Sequence, residues 1–170
     1  MHMKIKTARG FSLIEVMVAL IVVAIGLLGL AKMESLALSS TTTAGTRAIA
    51  AIQASSMAAA MHANRGYWGS ALAPATTTVT AATATGGAAA CTQASPCGAQ
   101  AMALYDLQNW AVAMNAVLPP YFATIACTTT TPPVNCTIQI KWSENGVAIN
   151  AQQANMATLA LPTYQIFLEP

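Results

Sequence analysis

Two positions near the N-terminus carry the clearest chemistry in this chain. Gly10 is the small residue at the junction between charged and apolar sequence, with Lys4, Lys6 and Arg9 before it and Phe11 after it. A peptidase cutting there would remove the basic stretch, keep the apolar one and leave a free α-ammonium on Phe11. Glu15 is the second position. It is the only charge between Gly10 and Ala31, a run of 22 residues. Carried alone into a bilayer, its carboxylate would cost about 2–3 kcal/mol. The Phe11 ammonium is the nearest cation, one helical turn away in its own chain or offered by a neighbouring chain. The chemistry implied is a proteolytic cut, followed by an amine and a carboxylate that must meet in an apolar medium.

The element that positions these groups is the run itself. As a helix rising about 1.5 Å per residue it is roughly 33 Å long, enough to cross a bilayer. Val16, Val18, Ile21, Val22, Val23 and Ile25 are β-branched, yet in lipid the backbone must bond internally, so a single segment can only be helical. Gly26 and Gly29 interrupt it and weaken it by about 1 kcal/mol each relative to alanine. An ordinary secretory signal would be cut after its apolar region and lost; here the only small residue at a charge-to-apolar junction, Gly10, precedes that region. The basic residues ahead of the span predict a cytoplasmic N-terminus, with everything after the span on the other side of the membrane.

At this point the residues carry a resemblance. Arg9-Gly10-Phe11-Ser12-Leu13-Ile14-Glu15 and the apolar run resemble a prepilin leader joined to the N-terminus of the type IV pilin family, which takes in pilins, minor pilins and type II secretion pseudopilins. The resemblance implies cleavage between Gly10 and Phe11 by a prepilin peptidase, N-methylation of Phe11, and a role for Glu15 in subunit register. It also implies an α+β fold, a long N-terminal helix packed on an antiparallel sheet head with an additional helix. The division expected is a leader over 1–10, a membrane or filament-core helix over 11–31, a periplasmic half of that helix over 32–66 and a head over 67–170.

Composition agrees with an anchored subunit. Hydrophobic residues make up 55% of the chain and charged residues 7%, too apolar for an average soluble domain. Without the leader, four basic side chains face five acidic ones, which leaves no basic footprint for nucleic acid. Four cysteines in an oxidising compartment predict two disulfides. Four cysteines allow three connectivities; the local pairs Cys91–Cys97 and Cys127–Cys136 are favoured. Spacings of Cys-x5-Cys and Cys-x8-Cys do not suit a zinc site, and no cofactor is implied. One histidine, one aspartate and four glutamates remain after cleavage, spread over different elements, so no catalytic arrangement is visible and an enzyme is not expected. His62 reads as an ordinary helix residue.

Along the chain, the helix should run from Phe11 to about Asn64, roughly 80 Å. Ser39-Ser40-Thr41-Thr42-Thr43 and Gly45 are poor helix formers and predict strain or a bend. From Arg47 to His62, alanines with Ile49, Ile52, Met57 and Met61 form a broad apolar arc to pack on a sheet. Gly66 would supply a left-handed cap. Residues 69–100, rich in Ala, Thr, Ser and Gly, read as a surface loop with a short strand near Val79. Ala101 to Leu118 is a second helix with Leu107, Trp110, Ala111, Met114 and Leu118 on one face, stopped by Pro119-Pro120. Strands follow at Tyr121–Cys127, at Cys136–Trp142 and around Tyr164–Leu168, with a Thr-Thr-Pro-Pro hairpin loop and a turn at Glu144-Asn145-Gly146. Trp110 and Trp142 belong to the core, and Tyr67-Trp68 is the candidate for a partner contact.

A narrower resemblance, to the PilV family of minor pilins, rests on four segments in order. They are Gly26 to Met33, the Ala/Met-rich helix ending His62-Ala63-Asn64-Arg65, Asp106-Leu107 through Trp110 to Leu118, and Ile138 to Trp142. It implies a subunit of the priming or tip complex that starts a pilus, inserted in the bacterial inner membrane with a periplasmic head and later exposed at the pilus tip. The partners implied are other minor pilins, the major pilin, the prepilin peptidase, the inner-membrane assembly platform and a tip adhesin. The alternatives are a minor pseudopilin of type II secretion and a surface pilin that binds DNA or another ligand.

Overall fold

The computed structural model describes residues 10–88, 90–118, 120–128, 133–144 and 161–170. The leader before Gly10, Pro119, the middle of the Thr-Pro loop and the Asn145-Gly146 turn lie outside them. Two compact units meet within one helix, the first ending at Thr41 and the second beginning at Thr42.

The helix, α1, spans Leu13–Ala63. In the first unit it stands alone. Every large apolar side chain from Phe11 to Leu30 is exposed, so none of the described residues covers the predicted span. The hydrogen-bonded helix runs without a break in its ladder through Ser39–Gly45. Residues 39–46 are still about 4–5 kcal/mol less favourable as helix than alanines would be. Two hydroxyls of this stretch bond to carbonyls of the helix. Thr41 Oγ1 donates to the Ala37 carbonyl at 2.9 Å, and Thr46 Oγ1 to that of Thr43 at 2.9 Å. Bonded back to carbonyls of their own helix, these groups leave its N–H ladder intact, at a slight cost in helix stability.

In the second unit α1 acquires a buried stripe, Ala50, Ala54, Met57 and Met61, at helical spacing. It keeps alanines, Met57 and Met61 of the predicted arc and leaves out the isoleucines. Ile52 is exposed and Ile49 only half-buried, because alanines allow close approach of the helix while the two methionines fill the gaps. The helix ends at Asn64, whose N–H is shared between the Ala60 and Met61 carbonyls at 3.1 and 3.2 Å. A short helix α2, Arg65–Trp68, follows at once. Gly66 is therefore inside a helix and supplies no left-handed cap. The break reorients the chain so that Tyr67 and Trp68 turn inward, and Trp68 is 0% exposed. Their rings meet edge to face with centroids 5.1 Å apart. The expectation that this pair faces a partner is overturned, since both are core.

Strand β1, Thr76–Val79, and a 3-10 turn at Ala81–Thr85 emerge from the low-complexity stretch. Helix α3 covers Ala99–Val117 and buries Ala103, Leu107, Trp110, Ala111 and Met114. Strands β2 (Tyr121–Cys127), β3 (Cys136–Trp142) and β4 (Thr163–Leu168) complete an antiparallel sheet in the order β1-β2-β3-β4. Alternation puts Tyr121, Ala123, Ile125 and Cys127 of β2, and Cys136, Ile138, Ile140 and Trp142 of β3, on the buried face. Those residues and the inner sides of α1, α2 and α3 form one core, and among the described residues no charge is buried. This is the long-helix-plus-antiparallel-sheet α+β architecture of the type IV pilin fold.

Polar ties fix the layers. Trp110 Nε1 donates to the Gln53 carbonyl on α1 at 2.9 Å, and Asn64 Nδ2 to the Ala99 carbonyl at the start of α3 at 2.7 Å. The Tyr121 hydroxyl donates to the Ala111 carbonyl at 3.0 Å, joining sheet to α3. The Gln108 side chain accepts from Ala88 N–H and donates to the Gly86 carbonyl, which holds the loop after the 3-10 turn against α3. Cys127 pairs with Cys136 across the β2–β3 register, with Cα atoms 4.1 Å apart, and Cys91 with Cys97 at 5.4 Å.

Two outcomes follow for thermal unfolding of the full chain in detergent, followed by circular dichroism. Trp68→Ala is expected to destabilise the head by about 3–5 kcal/mol, the usual cost of emptying a large aromatic site. Replacing Cys127 and Cys136 together by serine should cost about 2–3 kcal/mol, from the entropy that closing a loop of some ten residues removes from the unfolded chain.

Candidate functional site

The predicted processing site is built at the mouth of α1. Gly10, Phe11 and Ser12 are outside the helix and exposed, Phe11 to 84%. The Ser12 carbonyl accepts the N–H groups of Glu15 at 3.0 Å and Val16 at 3.3 Å, which starts the helical ladder. Glu15 therefore lies in the first turn, where the positive end of the helix dipole favours an anion. Phe11, Glu15, Val16, Ala19, Leu20 and Val23 line one shallow face of the helix. The structure thus puts Phe11 and Glu15 on a common face, one turn apart, at the end of an uncovered apolar rod.

The glycines of this region have no packing role among the described residues. A Cβ added at Gly10, Gly26 or Gly29 would meet no atom within 4 Å. Gly10 is outside any helix or strand and exposed, so its peptide bond to Phe11 is open to a protease. The four cysteines lie elsewhere, both pairs closed and none free. They stabilise the head and share nothing with the N-terminal site.

One arrangement in the head has no counterpart in the sequence reading. Arg47 on α1 makes a two-pronged ion pair with Glu144, just beyond β3: Nε to Oε1 at 3.1 Å and Nη2 to Oε2 at 3.2 Å. Trp142 Nε1 donates to the same Oε1 at 3.1 Å. The Glu144 side chain is 17% exposed and the Arg47 side chain 62%. Hydrogen bonding to Glu144, and then its charge, push the Arg47 pKa further up from its ordinary value. Nothing in the sequence pairs these residues, which are 97 positions apart.

Between α1 and α3 runs a small groove bordered by Gln53, Ser56, Asp106 and Asn109. Burial raises the Asp106 carboxyl above the ordinary carboxylate pKa. Among the described residues no group of three or more His, Cys, Asp or Glu side chains could hold a metal. Among the described residues, the arrangement with chemistry attached to it is the N-terminal one.

Residues 5–31 match the family model described as the prokaryotic N-terminal methylation motif. The matched stretch takes in Lys6, Arg9, the Gly10–Phe11 junction, Glu15 and the apolar run; it supports a type IV pilin-like protein and, with the N-terminal apolar helix, fits a membrane-anchored one. No curated protein and no solved structure matches the chain.

The Asp106 carboxyl yields a pH prediction. With a folded pKa above the unfolded one, the folded state binds the proton more tightly, so this group favours folding in acid and loses that contribution as pH rises through the folded pKa. Asp106→Asn should therefore raise the thermal midpoint at neutral pH, with the gain vanishing below about pH 4. Melting curves of both proteins across that range check it.

Proposed function

We propose that this chain is a minor pilin of a type IV pilus, of the PilV kind, acting in the priming or tip complex that initiates the filament. The observation that carries the proposal is an apolar run from Phe11 to Leu30, left bare by the described residues, that follows Gly10 and carries Glu15 in the first turn of its helix. The match over residues 5–31 supports the same reading.

In this account the prepilin peptidase cuts between Gly10 and Phe11 on the cytoplasmic side of the inner membrane, and Phe11 is N-methylated. The helix then holds the subunit in the membrane with its head in the periplasm. The bilayer supplies no partner for the Glu15 carboxylate. An incoming subunit whose Phe11 ammonium arrives at the same height lowers that cost, and one out of register does not. The carboxylate so sets the axial position at which subunits join, while the apolar faces supply the contact. Lateral partners are the other minor pilins and the major pilin. The assembly platform extracts the subunit, and a tip adhesin is the candidate for the outer end.

Two measurements test this. Intact mass of the protein from its own cells should correspond to a chain beginning at Phe11 with one added methyl group; a mass retaining residues before Gly10 overturns the processing. Glu15→Val should leave the protein in the membrane at normal abundance while surface pili, counted by electron microscopy, fall about tenfold or more, the loss expected if one buried charge pair of a few kcal/mol is removed from the assembly step. Normal piliation would remove the role given to Glu15.

A further inference from the structure

Between the uncovered half of α1 and its packed half lies a stretch of weak helix formers. Residues 39–46 read Ser-Ser-Thr-Thr-Thr-Ala-Gly-Thr, and all but the alanine are poor helix formers. None of them is buried, and the first buried residue of α1 is Ala50. Gly45 has open space where a Cβ would point, so packing does not require a glycine there. The hydroxyls of Thr41 and Thr46 add a second bond to helix carbonyls, which loosens a helix more than it stiffens it. The boundary between the two compact units falls within this same stretch, at Thr41 and Thr42. Propensity, exposure and contact pattern thus agree on one place in the chain.

The residue that follows, Arg47, is tied on the other side. Glu144 takes both prongs of its guanidinium and the Trp142 indole N–H besides. Trp142 is itself a core residue at the end of β3. The carboxylate therefore links the helix to a rigid strand one turn before the buried stripe begins.

We propose that residues 39–46 are a built-in hinge, a segment where α1 opens locally while the helix on either side persists, and that the Arg47–Glu144–Trp142 clamp stops the opening from reaching the head. Low intrinsic helicity without burial is the condition for sub-global opening at a small fraction of the global stability. A clamp of two charge-assisted hydrogen bonds is the condition for ending that opening within a turn. The use of such a hinge, to let the anchor keep its axis in a membrane or polymer while the head docks, rests on the pilin reading. The opening itself does not.

Hydrogen exchange of the full chain in detergent micelles, read by mass spectrometry at peptide resolution, tests it without reference to pili. Amides of residues 39–46 are expected to exchange about tenfold or more faster than those of 50–61. Gly45→Ala should slow exchange in that stretch about fivefold, the equivalent of the glycine-to-alanine helix difference. Glu144→Gln should let fast exchange spread through Arg47 to Ile49 and leave Leu107 to Met114 protected. Uniform protection from 39 to 61, or a rate unaltered by Gly45→Ala, overturns the hinge. A fast zone that does not move in Glu144→Gln overturns the clamp as its stop. Since no outcome depends on assembly, failure here is separable from failure of the proposed function.

Discussion

An apolar helix that its own chain leaves bare is the constraint on which everything else rests. From Phe11 to Leu30 the side chains have no cover from the described residues. Exposure to water costs roughly 25 cal/mol for each Å² of such surface. The medium that receives this helix must therefore be supplied from outside, as lipid or as other helices of the same kind. Once that is granted, the unusual features of the segment become consistent. Glycines that touch nothing around them are useful only where another helix comes close. A carboxylate at the tip of an apolar rod is costly when carried into an apolar medium, and a cation beside it would offset that cost.

The head is built the opposite way. It buries an apolar core of its own, around Trp68, Met57, Met61, Met114, Ile125, Ile138 and Ile140, and among the described residues it encloses no charge. What fixes one layer against the next is a small set of neutral hydrogen bonds from indole, phenol and amide groups to backbone carbonyls. Such bonds are individually modest, near 1 kcal/mol, but a donor left unpaired in the core would cost about as much or more. They select one packing among the many that a core of alanine and methionine would accept. The disulfides add to this at the β2–β3 hairpin and ahead of α3, where the thread of small polar residues has little else to hold it.

A long helix shared by these two regions has to satisfy two different environments. Its first half is suited to a medium and its second half to a fixed surface. The stretch between them answers to neither, and there the chain gives up both apolar residues and good helix formers. The physical cause of the weak segment is thus the same as the cause of the bare one: each part of α1 is stable only where something covers it.

Local signals make the N-terminal site legible in the amino-acid sequence alone. The junction at Gly10, the lone Glu15 and the length of the apolar run are properties of consecutive residues. So are the alternations Tyr121–Cys127 and Cys136–Trp142 and the one-faced helix through Leu107, Trp110 and Met114. Cysteines a few residues apart, on either side of a hairpin loop, belong to the same class. What only the tertiary structure decided are contacts between distant positions. Arg47 meets Glu144 across 97 residues. Trp68 turns inward because Asn64 ends one helix and Arg65 starts another. Ile52 is left outside because two methionines and two alanines form the buried stripe instead. The 3-10 turn arises from a stretch with no hydrophobic period, and the short strand expected near Val79 owes its register to the ladder of its neighbour β2. Periodicity reports which face of an element is apolar. It carries no record of which surface will meet that face, because that choice is made by shape and by hydrogen-bond partners brought together only on folding.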